Sequence, residues 1–514
     1  MSRPLAEPSL PAIASLAIEV GACVRPVLQR LTDTMTGETR IVPIPCGATL
    51  ASSCPSCAER NRKLRIQQCR EGWHLDDDPL PPDEDDYDGA LGDESDGPDE
   101  DDDNSRRTRS TRRRQDVPDL PRKPIEARSI GDTFETPSGK SYRPSTFLTV
   151  TMRSYGPVRE DGTPVDPDRY DYLGQALDAL HMPKLWDRFV QNLRRAAGFR
   201  AQYFAAVEPQ RRLAPHVHAA IRGAIARKTI RQVVRATYHQ LWWPRFDQPV
   251  YTDPTRLPVY GENADGFACY LDPDTASALP TWDEALDELD ADPDTEPAYV
   301  IRFGKQLDIQ GLIAGPKADR HIGYLTKYLA KSIAEGAAPA GELTERQKQH
   351  ADRLHEYVRL LPCSAECANW LRYGITPKSA LPGMVPDQCD KRAHYRARLG
   401  CGGRRVLVSR YWTGKTLTEH AADRLGAVRA ALEAAGIELP VGCSATELRP
   451  DGEPRWQWEG VKRDDVDVIT QQQAVIDLIA QRLEWREQYE QARDGTDPPS
   501  THSATAASPD EAAA

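Results

Sequence analysis

The chain has 514 residues, 39% of them hydrophobic and 28% charged, with a formal net charge of −12. That length allows two to four domains at roughly 100–200 residues each, and the composition describes globular sequence mixed with segments too polar to build a core. The negative total argues against a nucleic-acid partner only until its location is read: sixteen carboxylates lie between Asp76 and Asp103 with no Lys or Arg among them, and the remainder sums to about +4. No run approaches the roughly 18 apolar residues of a membrane span, and the opening MSRPLAEPSLPAIASLAIEV, broken by Pro4, Pro8, Pro11 and Glu19, lacks the layout of a secretion signal. We expect a cytoplasmic protein.

In chain order, residues 1–75 form a Cys-rich segment. Eleven cysteines without a secretion signal point to metal sites or inert thiols rather than disulfides. Cys46-x7-Cys54-x2-Cys57, with Cys69 or His74 as the fourth member, precedes basic Arg60, Arg62, Lys63 and Arg65 and fits a structural zinc site. Residues 76–124 are expected to be a disordered linker, acidic first and then RRTRSTRRR (Arg106 to Arg114), because like-charge blocks repel themselves open. It is either a solvated spacer or a basic arm for phosphates shielded by its acidic neighbour.

The stretch 141–338 alternates strand and helix patterns and should hold the main core. Thr146–Met152 reads as a β-branched strand, Leu185–Ala197 as an amphipathic helix, and Gln202–Glu208 as a second strand. After Arg211-Arg212, His216–Ile221 reads as a third strand, paired with the second as a hairpin. Asp272–Pro297 is acidic and Pro-rich, a surface excursion, and a helix covers Ile322–Ile333. A second Cys-containing module occupies 340–400 and a basic, helical segment 401–494, with helices at Leu417–Ala435 and Asp464–Asp494. The tail 495–514, rich in Ser, Thr, Ala and Pro, is expected to be disordered.

Two patterns carry chemistry. In His216-Val217-His218 the period of two turns both imidazoles to one face, where they can meet one cation; alone, H-x-H is as readily a pair of structural histidines. Glu208, at the end of the preceding strand, is either a hairpin-edge charge or a carboxylate completing a three-ligand site with open positions, suited to Mg²⁺ or Mn²⁺ in phosphoryl transfer. In HIGYLTKYLAK, Tyr324 and Tyr328 stand at i and i+4 on a helix, as do Lys327 and Lys331. The plain reading is an amphipathic helix with solvated lysines. The chemical reading is a phenol whose ordinary pKa near 10 is eased toward phenolate by an adjacent ammonium.

Cys363-x3-Cys367 and Cys389-x4-His394 offer four soft or borderline ligands in two close pairs, as structural zinc requires, with Cys401 as a spare; buried thiols are the alternative. Lys391, Arg392, Arg396 and Arg398 around the second pair suggest phosphate contacts. Gly414-Lys415-Thr416 imitates the end of a phosphate-binding loop, but Ser409 stands where its first glycine belongs. No ATPase is expected here.

In their order, FLTVTMRSYGPV, YFAAVEPQRRLAPHVHAAIRG, TYHQLWWP, HIGYLTKYLAKS, CANWLRYG and GRRVLVSRYWTGKTL resemble the HUH-type rolling-circle replication initiator (Rep) family of actinobacterial plasmids and integrative elements, over about residues 140–425. The resemblance implies an α+β fold: an HUH endonuclease domain with a ferredoxin-like or RRM-like antiparallel sheet and helices, plus small zinc modules. It implies a metal held by His216 and His218, with Glu208 as the third ligand, that polarises the scissile phosphate of plasmid origin DNA. Tyr328 is the first choice of nucleophile, between Lys327 and Lys331, with Tyr324 a second nucleophile or a packing residue. The product would be a 5′-phosphotyrosine and a 3′-OH primer for a host polymerase. A relaxase or transposase, or a non-catalytic zinc-containing DNA-binding regulator, remains the alternative.

Overall fold

The computed structural model describes residues 10–73, 75, 77–79, 114–135, 137–139, 141–263, 266–292, 294–313, 316–327, 329, 343–401, 405–434, 448–462 and 465–495. Its chain divides into two compact units, Met1–Leu64 with Leu417–Ala514, and Arg65–Thr416. The chain is a mixed α/β protein with antiparallel sheets. Among the described residues no helix is long and apolar enough to cross a membrane.

The first unit is made from both ends of the sequence. Strand Val27–Asp33 lies between Thr39–Ile44 and Trp456–Val461 in a three-stranded antiparallel sheet. Helices Leu10–Val20 and Val468–Gly495 bury Ile13, Ala17 and Val20 against Val475, Leu478 and Ile479, in one cluster with Cys23, Cys54 and Cys57.

The second unit is built on a six-stranded sheet. Its strands are β1 (Ser145–Met152), β2 (Tyr203–Pro209), β3 (Pro215–Arg222), β4 (Tyr238–Leu241), β5 (Tyr299–Leu312) and β6 (Val406–Val408), in the spatial order β6-β2-β3-β1-β5-β4, every neighbour antiparallel. The expected hairpin is present: β2 pairs with β3 from Tyr203↔Ile221 to Pro209↔Pro215. Its turn closes through Gln210 N–H to the Ala214 carbonyl at 2.8 Å, with Leu213 in the left-handed region at φ 64°.

Alternation divides the two faces. Leu148, Val150, Met152, Ala205, Val207, Val217 and Ala219 point into the larger core with Trp186, Phe189 and Leu193 of helix α1 (Tyr172–Ala197). This helix is longer than expected because Asp171 caps it, its carboxylate accepting from Gly174 N–H at 2.8 Å, and Pro183 is tolerated inside; Gly198 ends it at φ 83°. Helix α2 (Arg227–Ala236) contributes Ile230, Val233 and Val234 to the same core.

The supposed surface excursion contains helix α3 (Trp282–Ala291), opened by a reciprocal Thr281/Glu284 capping box, and it buries Trp282 and Leu286 with Trp370 and Cys367. Residues 114–124 are not free of the unit either: Arg114 N–H donates to the Tyr238 hydroxyl at 2.8 Å, Asp116 pairs with Arg302 at 2.6 Å, and Leu120 packs on the core. Most of the acidic and Arg-rich run, and the tail from 496, lie outside the described residues. Helix α4 (Pro316–Thr326) begins six residues earlier than the expected Ile322–Ile333, most of whose second half lies outside the described residues, and α5 (Glu345–Leu360) starts at a Thr344/Gln347 capping box.

Candidate active site

Strand register assembles the site. Across three strands, Glu208, His216 and Thr151 form one row; Ala206, His218 and Thr149 form the next; Phe204, Ala220 and Phe147 form the third. Successive rows are two residues, or about 7 Å, apart, so all nine side chains share the face opposite α1. The alanines beside the rings leave room for imidazole.

The imidazoles of His216 and His218 meet Nε2 to Nε2 at 2.7 Å, and a Glu208 carboxylate oxygen lies 3.7 Å from His218 Nε2. One ligand atom from each of the three residues lies within 4.8 Å of the others. Burial pushes the Glu208 carboxyl up to about 7, against the pull of Arg405 and Lys327. Burial also holds His216 down at about 4 and His218 at about 3, so both rings keep a lone pair at neutral pH. Among the described residues, Glu208 Oε1 is buried with no hydrogen-bond partner. An orphaned carboxylate oxygen beside two neutral imidazoles is a donor set that fits a divalent cation.

Helix α4 lies over this face. Ile322 and Leu325 are buried with Phe147, Phe204 and Ala220, which leaves Tyr324 half exposed with its hydroxyl 3.4 Å from His218 Nε2. Phe147 is the hinge of the contact: its ring meets His321 edge-on at 4.6 Å, Tyr324 at 6.5 Å and His218 at 6.0 Å. Lys327, in the turn after α4, adds positive charge near Glu208. Tyr328 and Lys331 lie outside the described residues.

Both cysteine groups gather in space. Cys363, Cys367, Cys389 and His394 bring their ligand atoms within 4.8 Å of one another. A tetrahedral zinc with Zn–S of about 2.3 Å and Zn–N of about 2.05 Å requires S···N of about 3.6 Å and S···S of about 3.8 Å. Cys367 Sγ and His394 Nε2 are 3.6 Å apart, and His394 Nδ1 faces the Val358 carbonyl at 2.7 Å, which presents Nε2 to the sulfurs. Cys401 is buried in the main core instead.

In the N-terminal group the fourth ligand is corrected. Cys46, Cys54 and Cys57 gather with Cys23, whose Sγ is 3.9 Å from that of Cys54. Cys69 packs instead with Trp73, Phe204 and Trp412, because the helix Pro55–Trp73 carries it three turns away from Cys57; His74 lies outside the described residues.

Three of the four basic residues near the second cysteine group, Lys391, Arg396 and Arg398, do not stand ready for phosphate, whereas Arg392 is exposed. Lys391 pairs with Glu366 at 3.1 Å, Arg396 with Asp352 at 2.6 Å, and Arg398 is buried. Arg212 likewise ties the hairpin to the end of β1, donating to the carbonyls of Arg153 at 2.8 Å and Met152 at 3.0 Å. Trp243 packs edge-on against Trp282 and Trp370, a core position. Phe147 and Thr149 went unnoticed as site residues, although their period-two alignment with the histidine face was available.

No solved structure matches the chain. A replication initiator protein of Streptomyces ambofaciens is 27% identical over 248 residues, 42% of this chain and 47% of that protein, so the match spans about half the length of the curated relative. The family described as "Replication initiator protein, pSAM2" matches residues 9–478, a span that includes both cysteine groups and the histidine face. The chain belongs to that replication initiator family.

Proposed function

We propose that this replication initiator is an HUH-type endonuclease that binds a plasmid origin and nicks one strand by tyrosine attack, for rolling-circle replication. The observation that carries the reading is the Tyr324 hydroxyl 3.4 Å from His218 Nε2, over the face that also holds His216 and Glu208. A cation held by these three residues, Mg²⁺ or Mn²⁺ by donor type, would polarise the scissile phosphate. The Tyr324 oxygen, its proton lost to water, attacks phosphorus; the bond to the 3′ oxygen breaks, and that oxygen takes up a proton. The products are a 5′-phosphotyrosine and a free 3′-OH. Lys327 supplies positive charge beside the developing anion, and Phe147 holds α4 in place. Tyr328 and Lys331 stay in the reading as a second phenol and its ammonium. The two cysteine groups hold structural Zn²⁺, since four protein ligands leave no open position. Unwinding and synthesis fall to host helicase and polymerase.

The test is nicking of supercoiled plasmid carrying the cognate origin, in Mn²⁺ and in chelator, by the parent and by His216→Ala and His218→Ala. Nicked circles should appear only with metal and fall at least about 100-fold in either variant, the loss of several kcal/mol of charge stabilisation. Origin binding by the parent with no nicking in Mn²⁺ would instead support a DNA-binding regulator.

A further inference from the structure

We propose that Thr149 is a positioning residue that fixes which nitrogen of His218 faces the cation, an inference that rests on the metal-site reading above. Thr149 on β1 stands directly opposite His218 on β3, and its Oγ1 lies 2.9 Å from His218 Nδ1. Phe147, two residues earlier on the same face, stacks on the ring with planes 19° apart. The imidazole is therefore held on one side by an aromatic ring and at Nδ1 by a hydroxyl, which leaves Nε2 aimed at His216, Glu208 and Tyr324.

A neutral imidazole carries one hydrogen, and the nitrogen that binds a metal must be the other one. With Thr149 Oγ1 accepting from Nδ1–H, His218 presents a permanent lone pair at Nε2. The 2.7 Å contact between the two Nε2 atoms then has one solution in metal-free protein: His216 Nε2 carries the hydrogen and His218 Nε2 accepts it. A cation held at both Nε2 atoms would require the hydrogen of His216 to sit on Nδ1 instead, so His216 alone would change tautomer. His218 is preset and His216 is switched. The opposite arrangement, with the Thr149 hydroxyl donating to a bare Nδ1, would place a hydrogen on His218 Nε2 and block the site.

Thr149→Val and Thr149→Ser separate this role from strand packing, because valine keeps the branched shape and serine keeps the hydroxyl. Long-range ¹H–¹⁵N correlation on the full chain with ¹⁵N-labelled histidine reads the tautomers without metal, and Mn²⁺ titration followed by electron paramagnetic resonance reads affinity. The parent should show His218 as Nδ1–H and His216 as Nε2–H. Thr149→Val should lose the single tautomer at His218 and weaken Mn²⁺ binding 10- to 100-fold, the usual effect of removing the partner of a metal-bound histidine. Thr149→Ser should restore both. An Nε2–H tautomer at His218 in the parent, or an unchanged tautomer and affinity in Thr149→Val, overturns the inference. A parent that binds no Mn²⁺ removes the metal site itself, and the tautomer comparison then decides alone whether Thr149 holds the ring.

Discussion

Cys23→Ser and Cys69→Ala give opposite outcomes if the N-terminal cysteine group is a zinc site with Cys23 as its fourth ligand. The Cys23–Cys54 separation of 3.9 Å is close to the roughly 3.8 Å of two thiolates on one tetrahedral zinc, whereas Cys69 is buried among Trp73, Phe204 and Trp412. Two cysteine groups predict about two zinc ions per chain, measured by inductively coupled plasma mass spectrometry after gel filtration in metal-free buffer. Cys23→Ser should drop this to about one. A structural zinc is worth about 10–16 kcal/mol in small metal-dependent folds, so the first unit, whose helices share a core with these sulfurs, should become protease-sensitive. Cys69→Ala should keep about two zinc ions and lose about 1–2 kcal/mol in urea denaturation, from the void left by one sulfur. Loss of one zinc in Cys69→Ala with full zinc in Cys23→Ser would refute the assignment.

Glu208→Gln should weaken Mn²⁺ binding while making metal-free protein more stable by roughly 1–3 kcal/mol in urea at pH 8, because it removes a buried charge with an unpartnered oxygen; a variant no more stable than the parent would argue against that burial. Asp178, buried and receiving hydrogen bonds from the Tyr155 and Tyr299 hydroxyls at 2.8 and 3.1 Å, has its carboxyl pushed up to about 6 by burial. A carboxyl raised in the folded state stabilises fully below its unfolded value near 3.9, and that contribution is lost as pH rises through about 6. The loss is roughly 2 kcal/mol between pH 4 and pH 7, read from urea midpoints, and Asp178→Asn should flatten this slope; an unchanged slope would contradict it.

The histidine face was legible because it depends on local rules. Period-two alternation, a short turn after Arg211-Arg212 and a carboxylate at the end of the partner strand place Glu208 opposite His216 with no long-range information. What sequence could not supply came from pairings distant in the chain. Cys23 joins its group across a whole β-hairpin, and Val27–Asp33 finds Trp456–Val461 as its neighbour from the far end of the protein. Spacing alone favoured Cys69 because it follows Cys57 closely, but a 19-residue helix separates their directions. Helix α3 was missed although Thr281 and Glu284 spell its start, since the acidic, Pro-rich flanks dominated the reading; Trp282 and Leu286 outweigh them by burying an apolar edge. Sequence favoured Tyr328, which stands between Lys327 and Lys331 but lies outside the described residues. The seating of Ile322 and Leu325 on the sheet brings the Tyr324 hydroxyl to His218.

The most direct measurement traps the covalent product. The parent protein, mixed with single-stranded origin DNA and Mn²⁺, is resolved on a denaturing gel, and the nucleotide-bearing peptide is sequenced by mass spectrometry. The site geometry predicts an adduct on the peptide containing Tyr324, lost in Tyr324→Phe and absent in chelator. Origin DNA bound in the presence of Mn²⁺ without any adduct, or an adduct undiminished in the Tyr324→Phe Tyr328→Phe double variant, would contradict it.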